Sequence, residues 1–148
     1  MIFPRDTIRI SMARKLLADS DFFIALYKKD DSNHQRAMKL LETLSGDAVE
    51  LLMSVFIYSE IATVLSQRVG KQTARYFIND VEKQGVQIVQ SDATLFERAR
   101  HVFQVQTSKN VSFADATNIA LAQIKGIEEI ASFDADYAKN GLMLAGRS

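Results

Sequence analysis

The sequence contains no cysteine, no tryptophan and only one proline, and it carries no net charge. Without cysteine, disulfides and thiolate metal sites are excluded, so any metal ion must be held by oxygen ligands or by His34 and His101. This favours hard cations. Because 18 Lys and Arg residues balance 18 Asp and Glu residues, net charge does not indicate a polyanionic partner. A nucleic acid would have to bind a local basic patch.

Long hydrophobic runs are also missing. No stretch approaches the roughly 20 continuous apolar residues of a membrane span, and the N-terminal residues lack the apolar core of a secretory signal. We therefore expect a cytoplasmic protein without a membrane partner. The length of 148 residues fits one domain. The regular pattern starts just after Met12, which predicts an N-terminal extension over residues 1–12, of the kind that is often disordered, and a single domain over residues 13–148.

Strands and helices are predicted to alternate along this domain. Helices are expected to begin at Asp21, at a capping box formed by Ser32 and Gln35, at Ser54, at Ser91 or Asp92, and near Ser112. Such alternation predicts an α/β fold, a three-layer α/β/α sandwich around a mainly parallel sheet. Apolar segments predict five strands, at residues 15–18, 49–53, 86–89, 127–132 and 142–144.

Four acidic residues lie at positions that suggest a site. Asp19 directly follows the first strand and Asp134 follows the fourth. In parallel α/β sheets the ligand crevice lies outside the carboxyl ends of the strands, where the strand order reverses. If the order is 3-2-1-4-5, Asp19 and Asp134 converge there. Glu60 lies beside the apolar stripe of its helix, and Asp115 lies in the first turn of an alanine-rich helix.

Each acid also has a purely structural explanation. Asp19 could cap the following helix, and Glu60 could reach solvent at the edge of its stripe. Asp115 completes a capping-box pattern with Ser112, and Asp134 could form an Asx-turn before Asp136. Only the combination of the four favours a functional site over these alternatives.

The motifs around these acids resemble those of the PIN domain family, most closely the single-domain VapC-type toxins of toxin–antitoxin pairs. The resemblance spans nearly the whole chain after the N-terminal extension, and this extension and the neutral composition are the main departures. The matching motifs are Asp19-Ser20-Asp21 after the first strand, the helix start from Asp31 to Ala37, Ser59-Glu60-Ile61, Phe113 to Ala116, and Ser132-Phe133-Asp134.

The resemblance implies a metal-dependent endoribonuclease that is neutralised by an antitoxin and forms a homodimer. Its catalytic metal ligands would be Asp19, Glu60, Asp115 and Asp134, and the ion would be Mg²⁺ or Mn²⁺. Converging carboxylates repel one another and raise their own pKa values, so a divalent cation would stabilise them. Supporting groups that orient ligands or water would be Ser20, Asn118, Ser132 and Asp136.

Several alternatives stay open at this point. Asn118 lies three residues after Asp115 on the same helix face, but it could equally face solvent. The chain could be a PIN nuclease outside any toxin–antitoxin pair, a nuclease-inactive PIN module that binds RNA or protein, or an enzyme of phosphoryl transfer on a small substrate. Candidates for phosphate contacts are Lys28, Lys29, Arg36, Arg68, Lys71, Arg75, Arg98, Arg100 and Lys109.

Overall fold

A computed structural model describes residues 14–146, so the N-terminal extension predicted for residues 1–12 lies outside the described residues. Its five strands form one sheet in the order β3-β2-β1-β4-β5, and every neighbouring pair is parallel. The predicted fold class and strand order are confirmed. The strands are β1 (Arg14–Ala18), β2 (Val49–Ser54), β3 (Gln87–Val89), β4 (Glu129–Ala131) and β5 (Met143–Leu144).

Seven helices connect and cover the strands within the described residues. Ser54, Asp92 and Ser112 begin helices as predicted, since each side chain accepts a hydrogen bond from a backbone N–H in the first turn. The helices are α1 (Ser20–Tyr27), α2 (His34–Ser45), α3 (Val55–Arg68), α4 (Lys71–Lys83), α5 (Ala93–Val105), α6 (Phe113–Lys125) and α7 (Asp136–Lys139).

Two predicted caps are wrong. Helix α1 already begins at Ser20, so Asp21 lies inside its first turn rather than before it. Helix α2 begins at His34 instead of Ser32, because Asp31 accepts a hydrogen bond from the Asn33 N–H (2.8 Å) and forms a local turn there. The carboxylate of Asp21 is therefore free to take part in contacts outside its own helix.

Strand β1 is the centre of the sheet and supplies side chains to two separate cores. Leu16 and Ala18 pack with α1 to α4 on one face, whereas Leu17 packs with α5 to α7 on the other. Successive side chains of a strand point to opposite faces, so this partition produces the three layers. In the part of the chain from 14 to 146, no helix combines the length and apolar character that a membrane span requires.

The pairing of β1 with β4 places the ends of these strands side by side. Leu17 lies opposite Ile130, and Ala18 lies opposite Ala131. One residue further, the Asp19 N–H donates to the Ala131 carbonyl (3.0 Å). Asp19 and Ser132 therefore emerge together at the carboxyl edge of the sheet. The connection after β1 leads to β2 on one side and the connection after β4 leads to β5 on the other, as expected for a ligand crevice.

Candidate active site

Asp19 is a buried carboxylate without a basic partner. Its side chain is only 3% exposed. Oδ1 accepts a hydrogen bond from the Tyr137 hydroxyl (2.9 Å), and Oδ2 accepts one from the Ser132 hydroxyl (3.1 Å). Burial raises the pKa of Asp19 well above its usual value, and the charges of Asp21 and Asp115 raise it further. Hydrogen bonds from the Ser20 N–H and Tyr137 only partly oppose this shift.

Asp115 combines a structural role with a place in the same cluster. Its Oδ2 accepts from the Ser112 N–H (3.0 Å), and its own N–H donates to Ser112 Oγ (3.0 Å), which confirms the capping box. Its other oxygen, Oδ1, lies 3.2 Å from the Tyr137 hydroxyl. Burial raises the pKa of Asp115. The capping explanation is therefore correct and does not exclude a functional one.

Tyr137 is a residue of the cluster that the sequence did not indicate. Its side chain is 1% exposed, and its hydroxyl lies between Asp19 and Asp115. A phenol carries one proton, so both carboxylates compete for the same donor. Burial and then the charges of Asp19 and Asp115 raise the pKa of Tyr137 well above its usual value. Its only sequence signal is its position three residues after Asp134.

Asp21 is a second residue that sequence reasoning missed, because it was interpreted as a cap. Its Oδ2 accepts from the Phe133 N–H (2.9 Å) and lies 3.1 Å from Ser132 Oγ. The Ser132 hydroxyl in turn accepts from the Asp134 N–H (3.1 Å), so its single proton must serve both Asp19 and Asp21. Burial raises the pKa of Asp21 too. Ser132 thus joins two carboxylates to the loop after β4.

Asp134 lies on that loop and faces the same cluster. Its charge raises the pKa values of both Asp21 and Asp115. Oδ1 accepts from the Asp136 N–H (2.9 Å), which confirms the predicted Asx-turn. The carboxylate of Asp136 instead contacts Ser108 (3.1 Å) and Lys139 (3.5 Å). Asp136 therefore supports Asp134 through its backbone and not through its charge.

The other predicted site residues differ in how they relate to the cluster. Asn118 is fully buried, and its Nδ2 donates to the Ala18 carbonyl (3.2 Å), so the solvent-facing alternative is wrong. Ser20 supplies its backbone N–H to Asp19. Glu60 is partly buried on α3, and no hydrogen bond among the described residues joins it to the other acids. Hydrogen bonds and electrostatic coupling connect Asp19, Asp115 and Asp134 of the four predicted acids, and Asp21 is coupled to them as well.

The donor set fits a hard cation. Within residues 14–146, three buried side-chain atoms have no hydrogen-bond partner, and all are oxygens that accept: Asp21 Oδ1, Glu60 Oε2 and Asn118 Oδ1. Oxygen ligands of this kind suit Mg²⁺ or Mn²⁺. Among residues 14–146, no three acidic or histidine side chains surround a common point closely enough to hold an ion. The hydroxyls of Tyr137 and Ser132 lie between the carboxylates.

The fold and the site define an α/β protein with an acidic crevice at the switch point of a parallel sheet. A family model described as the PIN domain matches residues 16–141. The chain belongs to the PIN domain family. The expected resemblance is therefore confirmed.

A relative that is similar in both sequence and structure supports the same class. The 23S rRNA-specific endonuclease VapC20 of Mycobacterium tuberculosis is 26% identical over 128 residues, which cover 86% of this chain and 95% of that protein. The crystal structure of VapC20, described as a sarcin-ricin loop cleaving toxin, has a TM-score of 0.77 at 25% identity and covers 86% of this chain and 96% of that one.

Two more distant structures share the fold. VapBC2 from Rickettsia felis, solved with a DNA fragment from its promoter, has a TM-score of 0.58 at 11% identity and covers 88% of this chain and 96% of that one. FitAcB from Neisseria gonorrhoeae has a TM-score of 0.57 at 15% identity and covers 87% of this chain and 95% of that one. At these identities the likeness concerns the fold alone.

Proposed function

We propose that this protein is a metal-dependent endoribonuclease of the VapC toxin type. The observation that carries the proposal is the convergence of Asp19, Asp21, Asp115 and Asp134 at the switch point, with no ion pair to any of them among the described residues. Repulsion and burial disfavour such a cluster unless a cation joins it. The name of VapC20, an rRNA endonuclease, supports RNA as the substrate.

The metal, Mg²⁺ or Mn²⁺, would be held by Asp19, Asp115 and Asp134, with Glu60 as a further ligand. When bound, it would polarise a phosphate oxygen and lower the pKa of a water molecule. The chain itself orients the ligands: the Tyr137 hydroxyl lies between one oxygen of Asp19 and one of Asp115 and can donate to either. Hydrogen bonds of this kind fix the direction of a ligand and tune metal affinity.

Ser132 and Asp21 orient the loop that carries Asp134. Ser132 links Asp19 to the Asp134 N–H, while Asp21 holds the Phe133 N–H. The three contacts keep the loop after β4 against the start of α1. We expect this arrangement to align Asp134 with Asp19 before RNA binds.

The proposal extends to protein partners. A toxin of this type requires an antitoxin, and the description of VapC20 as a toxin supports this part. The predicted homodimer is supported by exposed apolar side chains on or beside α4, namely Val69, Tyr76 and Ile78, which are 43%, 54% and 38% exposed.

Cleavage of RNA in the presence and absence of divalent cations tests the proposed activity. We expect the purified protein to cut single-stranded and ribosomal RNA with Mg²⁺ or Mn²⁺ and to stop in excess EDTA. Asp19→Asn should lower the cleavage rate by at least about a hundredfold and weaken Mg²⁺ binding in calorimetry, because it removes a charged ligand.

Asp47→Asn is the matched control, since Asp47 is an exposed carboxylate at the opposite edge of the sheet and should leave cleavage unchanged. Cleavage that persists in EDTA, or in Asp19→Asn at the normal rate, would contradict the mechanism. RNA binding without any cleavage, together with no Mg²⁺ binding, would instead favour the nuclease-inactive module.

A further inference from the structure

A groove of about 700 Å³ adjoins the acidic cluster. One wall is formed by α2, including Arg36 and Lys39, and the other by Ser132, Phe133, Ala135 and the end of β5. Ser132 belongs both to this wall and to the acidic cluster, where it contacts Asp19. The groove therefore opens directly beside the crevice at the switch point, and it is large enough for a small ligand or part of a polymer.

The groove has the opposite charge to the crevice. Arg36 and Lys39 are exposed on its wall, and no described residue that lines it is acidic. Neither cation forms an ion pair with another residue in the described range. The only polar side-chain partner of Arg36 there is the neutral amide of Asn33 (3.0 Å). Both positive charges are thus available to an anion.

Arg36 is also held in place. Its guanidinium carbon lies 4.6 Å from the centroid of the Phe133 ring, a cation–π arrangement. Phe133 is adjacent to Asp134 in sequence, and its N–H is bound by Asp21. The cation is consequently positioned one residue from the acidic cluster. A guanidinium carries several N–H donors in a fixed planar arrangement that suits a phosphate.

A second groove, of about 550 Å³, is lined by Lys109, Lys139 and the acidic Asp136, among others, but offers a weaker case. Its Lys139 lies 3.5 Å from Asp136, so part of its positive charge is compensated. The Arg36 groove is therefore the better candidate for a polyanion.

We propose that Arg36 and Lys39 bind RNA phosphates next to the scissile one, in the groove between α2 and the loop after β4. This inference rests on the proposed nuclease function and assigns its substrate-binding surface. The acidic crevice alone would repel the RNA backbone, whereas the adjoining cations attract it. Lys39 was not among the basic residues considered from sequence, and Arg36 was one of nine candidates.

The test compares two double variants that remove the same charge. Arg36→Gln/Lys39→Gln changes the groove. Lys15→Gln/Lys125→Gln changes two exposed lysines at the opposite edge, because Lys15 lies at the start of β1 and α6 runs about 18 Å from its start beside the cluster to Lys125. Both variants lower the net charge equally, so only the position of the charge differs.

Binding of a short fluorescein-labelled single-stranded RNA is measured by anisotropy in excess EDTA over a series of salt concentrations. We expect the groove variant to bind about tenfold more weakly and to lose about 0.7 from the salt slope for each contact removed, while the control variant binds like the wild type. In Mg²⁺, the groove variant should raise KM for RNA cleavage more than it lowers kcat.

Equal RNA affinity in the two double variants would overturn the proposal, as would a loss confined to kcat. Tighter binding of a labelled oligoglutamate peptide than of RNA in the groove would assign the surface to an acidic protein segment and also overturn it. These outcomes leave the nuclease proposal intact. Conversely, cleavage in EDTA would contradict the metal mechanism, but the RNA affinities of the two double variants would still test whether the groove binds RNA.

Discussion

The charged side chains at the two ends of strand β1 have opposite environments. At its start, Arg14 binds Glu129 through two hydrogen bonds (2.6 and 2.9 Å) and Asp47 through a third (3.2 Å). Just past its end, Asp19 is surrounded by hydroxyls and by other carboxylates. The first arrangement is electrically compensated and partly exposed, whereas the second is buried and uncompensated.

The pKa values reflect this contrast. The Arg14 hydrogen bond lowers the pKa of Glu129, while burial raises the pKa of Asp19. A paired carboxylate stabilises the fold in its charged form, and a buried unpaired one destabilises it. A cluster that opposes folding is expected where charge serves binding or catalysis. Changes at the two ends should therefore affect stability and activity separately.

The largest expected difference is the response of metal-free stability to pH. The folded-state pKa values of Asp19, Asp21 and Asp115 are raised above the unfolded value of about 3.9. The stability that they contribute is complete below that value and is lost as pH rises through the folded-state pKa values. The free energy of unfolding of metal-free protein should thus fall as the pH rises above about 3.9, as measured by urea denaturation.

Asp19→Asn should flatten this dependence, and millimolar Mg²⁺ should oppose it, because the cation replaces the proton in the cluster. The same slope in Asp19→Asn and wild type would mean that the acidic cluster does not control stability in this pH range.

A smaller effect is expected from the hydroxyl that separates Asp19 and Asp115. Tyr137→Phe removes the proton that they share and leaves a buried carboxylate oxygen without a donor, so metal-free stability should fall by about 1–3 kcal/mol in urea denaturation. Mg²⁺ affinity should fall about tenfold in calorimetry, because ligand orientation is lost.

Tyr27→Phe is the matched control, since the Tyr27 hydroxyl donates to the carboxylate of Asp80 (2.6 Å) at the surface. It should cost less stability and leave Mg²⁺ affinity unchanged. If Tyr137→Phe has no larger effect than this control, the hydroxyl does not organise the cluster.

The sequence was informative about the fold because its signals are local. Alternating strands and helices, with caps such as Ser54, Asp92 and Ser112, determine the layers. The preference for pairing consecutive strands accounts for the neighbours β1-β2-β3 and β4-β5 but not for the crossover from β3 to β4. The convergence of Asp19 with Asp134 then follows from the register of β1 and β4. The caps at Asp21 and Ser32 failed because competing hydrogen bonds from Phe133 and Asn33 are not visible in a helix-start pattern.

The same limit explains the residues that were missed. Tyr137 joins carboxylates that are 118 and 22 positions away, and Asp21 binds a loop 112 positions away. Contacts of this kind depend on tertiary packing and leave no local periodicity. The sequence does not single out the groove cations either, because only the contact with Phe133 distinguishes Arg36 from the other basic residues.

The smallest effect is expected at the compensated end of β1. Arg14→Gln removes pairs that are 40% exposed on the arginine side, so the free energy of unfolding at neutral pH should fall by only about 0.5–1 kcal/mol. Because the pKa of Glu129 is lowered by Arg14, this contribution is present above the unfolded pKa of Glu and is lost as pH falls through the folded-state value.

Urea denaturation of wild type and Arg14→Gln at neutral and acidic pH measures this difference, which should also shrink at high salt. Arg100→Gln provides the comparison, since its pair with Glu97 is more exposed and within one helix, and its effect should be smaller still. RNA cleavage should be unchanged in Arg14→Gln, because Arg14 lies at the end of β1 opposite to the crevice. A loss of cleavage in Arg14→Gln without loss of stability would show that the two ends of β1 are coupled.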